Sequence, residues 1–500
     1  MEKNNLSHFL SDGLVIQRDA SFPVWSEKKA CVTFLGKIYE SKETDGKWLV
    51  NLDPVQAGGP FTIKIDSDGI TTVINDVYAG DVWLCAGQSN MEMEMQSLKE
   101  KYPEEWEKFK TGERGSGAGE ILIRHFRVPK VWDFNAPCDD VSGGKWTPAS
   151  KETLNEFSGT AWFFAKYIYE KHGVPIGLIN TAWGGTPVEA WMSEDALKNF
   201  PEKIEESKSY RYPEKREEAF KKSGYVTEEF EYFFAQRPIG DFNAMLCPVL
   251  KYPLKGVIWY QGESNDSAPQ YYSQLFKLMI EDWRKLSRKE DLPFLFVQLP
   301  VWKEASDNNE NSAWAILREA QASALELVNT GMACALELGD WDDIHPLNKK
   351  DVGYRLYLAA EKVLFGADNT SPGPVLRKVK KEDLEIKNGK IFIYFDNCGD
   401  GLCVFNDPQT IKITTNAFLR TSEISESFSD NNSKAYISVM GGSGGYVRLP
   451  AEIEKKDCIS IDLSSVKNPR TILYAWADNP KDRQLFNSDG LPVIPFKINI

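Results

Sequence analysis

The stretch Asp81-Val82-Trp83-Leu84-Cys85-Ala86-Gly87-Gln88-Ser89-Asn90-Met91 places a serine just beyond an apolar run. A serine hydroxyl attacks an ester carbonyl only when a base takes its proton, and the reaction also needs donors for the developing oxyanion. The chain has four histidines, so the base can be chosen by inspection. His8 lies near the terminus. His125 falls inside a strand pattern and reads as a packed residue. His172 precedes Gly173 at a helix end, where a cation suits the dipole. Only His345 lies in a loop rich in carboxylates, Gly339-Asp340-Trp341-Asp342-Asp343-Ile344-His345-Pro346. The spacing Asp342-x-x-His345 lets one turn set the carboxylate against the imidazole, fixing its tautomer and stabilising the imidazolium. Asp343 is adjacent to that carboxylate.

Oxyanion donors are available in two further loops. Gly184-Gly185 permits close backbone approach, and Gln261 or Asn265 can add a side-chain amide to the Ser89 N–H. Trp183, Trp191, Trp259 and Tyr260 can stack on a sugar ring. Glu263 is a candidate substrate contact in the loop of Gln261, and Arg318 with Gln321 shares one side of a helix. Each feature has a plainer reading: Ser89 as a helix cap, the glycine pair as a turn, the aromatics as core. Glu189 and Glu263 would be the acid pair of a glycosidase, a reading that leaves Ser89 and His345 without a role.

The elements that must position these residues follow from the pattern. Short apolar runs ending in turn residues mark buried parallel strands. Such runs are Asp81–Gly87, Val174–Asn180, Gly256–Tyr260, Phe294–Leu299 and Met332–Leu338. Helical spacing is expected over 158–171, 268–286, 312–328 and 347–365, and a helix start near Pro187. Segment 98–120 reads as a helix and a loop, and charge-dense 199–235 as surface helices that can act as a lid. Strands alternating with helices imply a doubly wound parallel sheet with its site at the strand C-ends. Regular short strands and turns before and after imply β structure. The expected domains are 1–76, a β-sandwich; 77–370, an α/β/α domain; and 371–500, a β-rich domain.

Composition narrows the function. Hydrophobic residues are 42% and aromatics 12% of 500, enough for packed cores. The formal charge of 59 − 73 = −14 argues against nucleic acid or an anionic membrane as partner. It favours a neutral sugar, or an acid held by a local arginine. No run approaches the roughly 20 apolar residues of a membrane span. The N-terminus lacks the basic start and apolar core of a signal peptide, so a cytoplasmic protein is expected. Eight scattered cysteines include no Cys-x-x-Cys, and no zinc site is expected from them. A Cys398–Cys403 disulfide is an alternative to free thiols. Nothing in the composition sets an oligomeric state.

Four ordered blocks then carry a resemblance: Gly87-Gln88-Ser89-Asn90-Met91, Trp183-Gly184-Gly185-Thr186-Pro187-Val188-Glu189-Ala190-Trp191, Trp259-Tyr260-Gln261-Gly262-Glu263-Ser264-Asn265 and Asp343-Ile344-His345-Pro346. They resemble the sialate O-acetylesterase family of the SGNH hydrolases, and the likeness extends over nearly the whole chain. The resemblance implies an SGNH-type α/β/α fold and hydrolysis of O-acetyl groups on a carbohydrate. It implies Ser89 as nucleophile, His345 as base and Gly184 as an oxyanion donor. From the residues themselves, Asp342 is expected to orient His345, and Trp183, Glu263 and Arg318 are the expected contacts to the sugar. No metal or cofactor is needed. The alternatives are an acetylxylan or other polysaccharide acetylesterase, and a non-catalytic carbohydrate-binding protein.

Overall fold

The computed structural model describes residues 6–44, 46–109, 121–377, 384–405, 435–442 and 444–500. The chain divides into two compact units, Met1–Ser264 with Gln274–Phe294, and Asn265–Ser273 with Leu295–Ile500.

The first unit is organised on β1 (Ile70–Gly87), a strand of 18 residues. Its first residues are largely exposed, with Ile74 buried among them, and from Val77 to Gly87 every residue is buried. Its early half pairs antiparallel with Gly58–Ser67, which pairs with Ala30–Phe34. A separate antiparallel sheet joins Phe22–Ser26, Lys47–Leu52 and Lys42–Thr44. The late half of β1 enters a sheet with β2 (Ile123–Arg127), β3 (Trp146–Pro148), β4 (Ile176–Ala182) and β5 (Gly256–Tyr260). Their order is β3-β2-β4-β1-β5, all parallel except β3 against β2. One strand therefore crosses the boundary expected at 76/77.

The helices begin and end where their sequence directs. Ser158 caps Gly159–His172 by accepting from Ala161 N, and Gly173 closes it at φ 65°. The charge-dense stretch forms the helices Pro201–Ser209, Pro213–Ser223 and Phe230–Ala235. Among its described residues, segment 98–120 contributes the short helix Glu104–Glu107; 110–120 lies outside the described residues.

The second unit carries β6 (Phe294–Gln298) and β7 (Thr330–Cys334), neighbours in one sheet, and the helices Ala313–Ala322 and Lys349–Phe365. The strand expected over 332–338 stops at Cys334. Ala335 leaves the extended region (φ −105°, ψ 17°), and Leu336–Leu338 curls into a 3-10 turn instead. Beyond it lies a nearly closed antiparallel sheet, running Val375–Leu376, Lys390–Asp396, Cys458–Asp462, Tyr446–Lys455, Ala435–Met440, Thr471–Tyr474 and Phe496–Asn499. The compact division places 295–370 with this β region, so it does not follow the expected boundary at 370/371. All eight cysteines are free, Cys398 and Cys403 included. Among the described residues no helix is long and apolar enough to cross a membrane.

Candidate active site

Register brings the first unit's loops to one level. Gly87 at the end of β1 pairs with Ala182 at the end of β4 and with Tyr260 at the end of β5. The Ser89, Gly184-Gly185 and Gln261 loops leave the sheet together, at the strand C-ends where open α/β sheets carry their sites. Gly87 is required there. Its φ is 139°, and a Cβ would overlap the Tyr260 carbonyl oxygen and lie 2.7 Å from its carbon.

Buried polar bonds lock the serine loop. Gln88 donates its N–H to Tyr260 O at 3.0 Å. Its side-chain oxygen accepts from the amides of Gly262 (3.4 Å) and Ser264 (3.3 Å). Asn90 Nδ2 donates to Glu263 Oε1 at 2.6 Å. Ser158 Oγ donates to Met91 O at 2.6 Å, and Thr160 Oγ1 to Asn90 O at 3.0 Å. Ser89 opens the turn Ser89–Glu92 and stays half-buried.

Gly184 lies against Ser89: a Cβ on it would sit 3.3 Å from Ser89 Cβ. Its amide, however, donates to Glu92 Oε2 at 2.7 Å. A backbone amide has one proton, so this corrects the expected role: Gly184 gives close approach, and its N–H is spent on a carboxylate. Glu92 is in turn ion-paired to Lys130. Gln261 is buried, its amide fixed by donation to Thr186 O at 3.2 Å. Asn265 is buried at the end of the turn Glu263–Asn265.

Three expected sugar contacts have other roles in this structure. Glu263 is buried and its Oε1 is taken by Asn90, which makes it part of the loop's scaffold. Trp183 is 6% exposed, packed in the wall with Lys130 Nζ 5.7 Å from its ring. Arg318 is 0% exposed. Its guanidinium donates to the carbonyls of Leu299, Pro300, Ala477 and Asp478 at 2.7–2.9 Å, and burial lowers its pKa to about 9. It ties the helix Ala313–Ala322 to strand ends and presents no donor fork to a ligand. Gln321 likewise bonds backbone, at Leu299 N and Val297 O.

The histidine loop belongs to the second unit. Asp343 Oδ1 accepts the His345 backbone N–H at 2.7 Å and lies 3.9 Å from Nδ1. Asp342 is exposed and makes no hydrogen bond or ion pair among the described residues. Against the expectation for Asp342, the tight turn folds Asp343 rather than Asp342 back onto His345. The His345 pKa lies below the ordinary value: burial lowers it, Asp343 opposes this, and Lys349 lowers it further. A carboxylate neighbour alone would raise it; here desolvation wins. Among the described residues no three His, Cys, Asp or Glu side chains converge as metal ligands would.

The model of the family described as carbohydrate esterase, sialic acid-specific acetylesterase, matches residues 79–215 and 242–359. The chain belongs to this family. The matched blocks contain Ser89, Gly184, Gln261 and His345, and the members are carboxylic-ester hydrolases acting on carbohydrate, as this protein is. Mouse sialate O-acetylesterase is 31% identical over 402 residues, 73% of this chain and 71% of the mouse protein. The human sialate O-acetylesterase is 31% identical over 70% of this chain and 66% of its own length. A carbohydrate acetylesterase from Xanthomonas citri superposes with a TM-score of 0.79 at 32% identity, covering 99% of both chains.

Motif reading missed Glu92, Lys130 and Tyr232. Glu92 was detectable: three residues after Ser89 in a helical turn, it shares that side chain's face. Lys130 lies in a loop and Tyr232 lies off the apolar face of its helix, and only tertiary packing brings them near the glycine pair.

Proposed function

We propose that the protein removes O-acetyl groups from sialic acid through an acetyl-serine intermediate, on an SGNH-type doubly wound sheet preceded by a β-sandwich. Ser89 Oγ attacks the acetyl carbonyl as His345 takes its proton. The Ser89 N–H and the amide of Gln261 or Asn265 bind the oxyanion. Collapse breaks the ester bond, His345 protonates the leaving sugar oxygen, and water then releases acetate from Ser89 by the reverse sequence of proton transfers. Asp343 orients His345 from its own loop. The observation that carries this reading is the alignment of three strand ends at Gly87, which sets Ser89 against Gly184 and beside the Gln261 loop.

The experiment is deacetylation of defined O-acetyl sialic acids and acetylated xylo-oligosaccharides, with mass detection of an acetyl group on Ser89 after rapid quench. Acetate release from the sialic acids and an acetylated Ser89 peptide are expected. Preference for the xylo-oligosaccharides would replace sialic acid with an acetylated polysaccharide as the substrate.

A further inference from the structure

Residues 216–241 fall between the two blocks that match the family model, yet they bring a side chain to the catalytic loop. The helix Phe230–Ala235 lies in this segment. Phe230, Phe233 and Phe234 fall at i, i+3 and i+4 and share one face. That face packs into an aromatic cluster with Phe134, Tyr210, Trp132, Phe220 and Tyr225. Phe234 is fully buried, with ring centroids 4.9 Å from Phe233 and 5.2 Å from Trp132. Such a cluster fixes the helix, and so fixes where its off-face residue Tyr232 points.

Tyr232 points at Gly185. A Cβ at position 185 would overlap the Tyr232 hydroxyl and lie 2.7 Å from Cζ. Gly185 also adopts φ 76°, so both backbone and space demand glycine there. Gly185 is the neighbour of Gly184, whose own Cβ position touches Ser89. The phenol therefore abuts the residue next to the one that touches Ser89. It is still 39% exposed, and its hydroxyl makes no hydrogen bond among the described residues. Its pKa is raised by burial, by Tyr225 and by Glu229, so the hydroxyl stays protonated and can donate.

We infer that Tyr232 is a specificity-determining contact for the sugar that bears the acetyl group, its ring facing the pyranose C–H surface and its hydroxyl bonding a ring substituent. This rests on the acetyl-sugar reading given above. An aromatic ring with a polar tip suits an amphipathic ring substrate better than it suits the acetyl group, which the serine loop holds. The segment outside the family blocks thus chooses the sugar, while the family loops perform the chemistry.

The test compares kcat/KM for an acetylated sugar with that for p-nitrophenyl acetate, which carries no sugar and reports the chemical step. Tyr232→Ala is expected to lower the ratio about tenfold or more, through KM for the sugar ester. Tyr232→Phe keeps the ring and should recover most of it, to within about threefold of wild type. Tyr212→Ala removes a 59% exposed tyrosine elsewhere on the helical segment and should leave the ratio at the wild-type value. Equal losses on both esters in Tyr232→Ala would show that the ring only props the Gly185 turn, and an unchanged ratio would show no contact; either overturns the inference while leaving the acetyl-sugar reading intact. Wild-type enzyme that cleaves p-nitrophenyl acetate but no acetylated sugar overturns both.

Discussion

The loop that carries the serine and the loop that carries the histidine are built on opposite principles. Around Ser89, side chains and backbone interlock in the dark: Gln88 spans two amides, Asn90 is held by Glu263, and Gly87 leaves no room for another residue. Around His345, the imidazole side chain is 41% exposed, and its carboxylate neighbour reaches mainly the backbone, at 2.7 Å, with the ring nitrogen 3.9 Å away. A nucleophile must be aimed to within a fraction of an ångström, and fixed geometry is where rate enhancement of this kind arises. A base must turn from one oxygen to another during the cycle, and a carboxylate bonded to the backbone rather than the ring is compatible with that.

The serine loop should show the largest effects. Ser89→Ala should reduce ester hydrolysis about a thousandfold or more with the circular dichroism spectrum unchanged; near-normal turnover would end the serine mechanism. Next comes the clamp. Asn90→Ala leaves the buried Glu263 carboxylate without its 2.6 Å donor, at a cost of about 1–3 kcal/mol in stability. It should also lower kcat more than tenfold as Ser89 loses its aim, on the order expected for misplacement. Thermal melts and kcat measured on one preparation check both effects, and an unchanged kcat would show that the interlock serves stability alone.

How much of this was legible depended on whether a feature is local. Strands such as Gly256–Tyr260 announce themselves because burial on both faces demands an unbroken apolar run. Ser89 and His345 can be singled out from sequence because a serine at a strand exit and the one histidine amid carboxylates are local facts. Arg318 was misjudged: helical spacing gave its face, but not that four backbone carbonyls were waiting for it. Gly184 was half read. Its small size does admit Ser89, while the engagement of its amide by Glu92 is a tertiary fact. Asp342 and Asp343 are indistinguishable by spacing, and only the turn's geometry separates them.

In the histidine loop the carboxylates should matter little to the rate. Asp343→Asn should lower kcat less than about tenfold, and the exposed Asp342→Asn should stay within about twofold of wild type. A loss of orders of magnitude in Asp342→Asn would return the orienting role to that residue.

The smallest effect is also the most diagnostic, because it has a sign. A Ser-His esterase is active when the histidine is neutral, so kcat/KM rises with pH through the free enzyme's histidine ionisation. Burial depresses the His345 pKa, and Asp343 partly offsets that by favouring the imidazolium. The acid limb of the wild-type profile should therefore lie below the ordinary histidine value of about 6.5. Removing the charge in Asp343→Asn takes away the one contribution that raises the pKa, so the limb should move to still lower pH. Lys349 acts in the opposite sense. Because its ammonium is buried and donates to Pro346 O at 2.5 Å, Lys349→Met should carry the limb upward, with thermal melts reporting any loss of loop stability separately. Profiles of kcat/KM from pH 4 to 9 on p-nitrophenyl acetate read all three enzymes. A limb that moves up in Asp343→Asn, or fails to move in either variant, would mean that the ionisation seen is not that of His345.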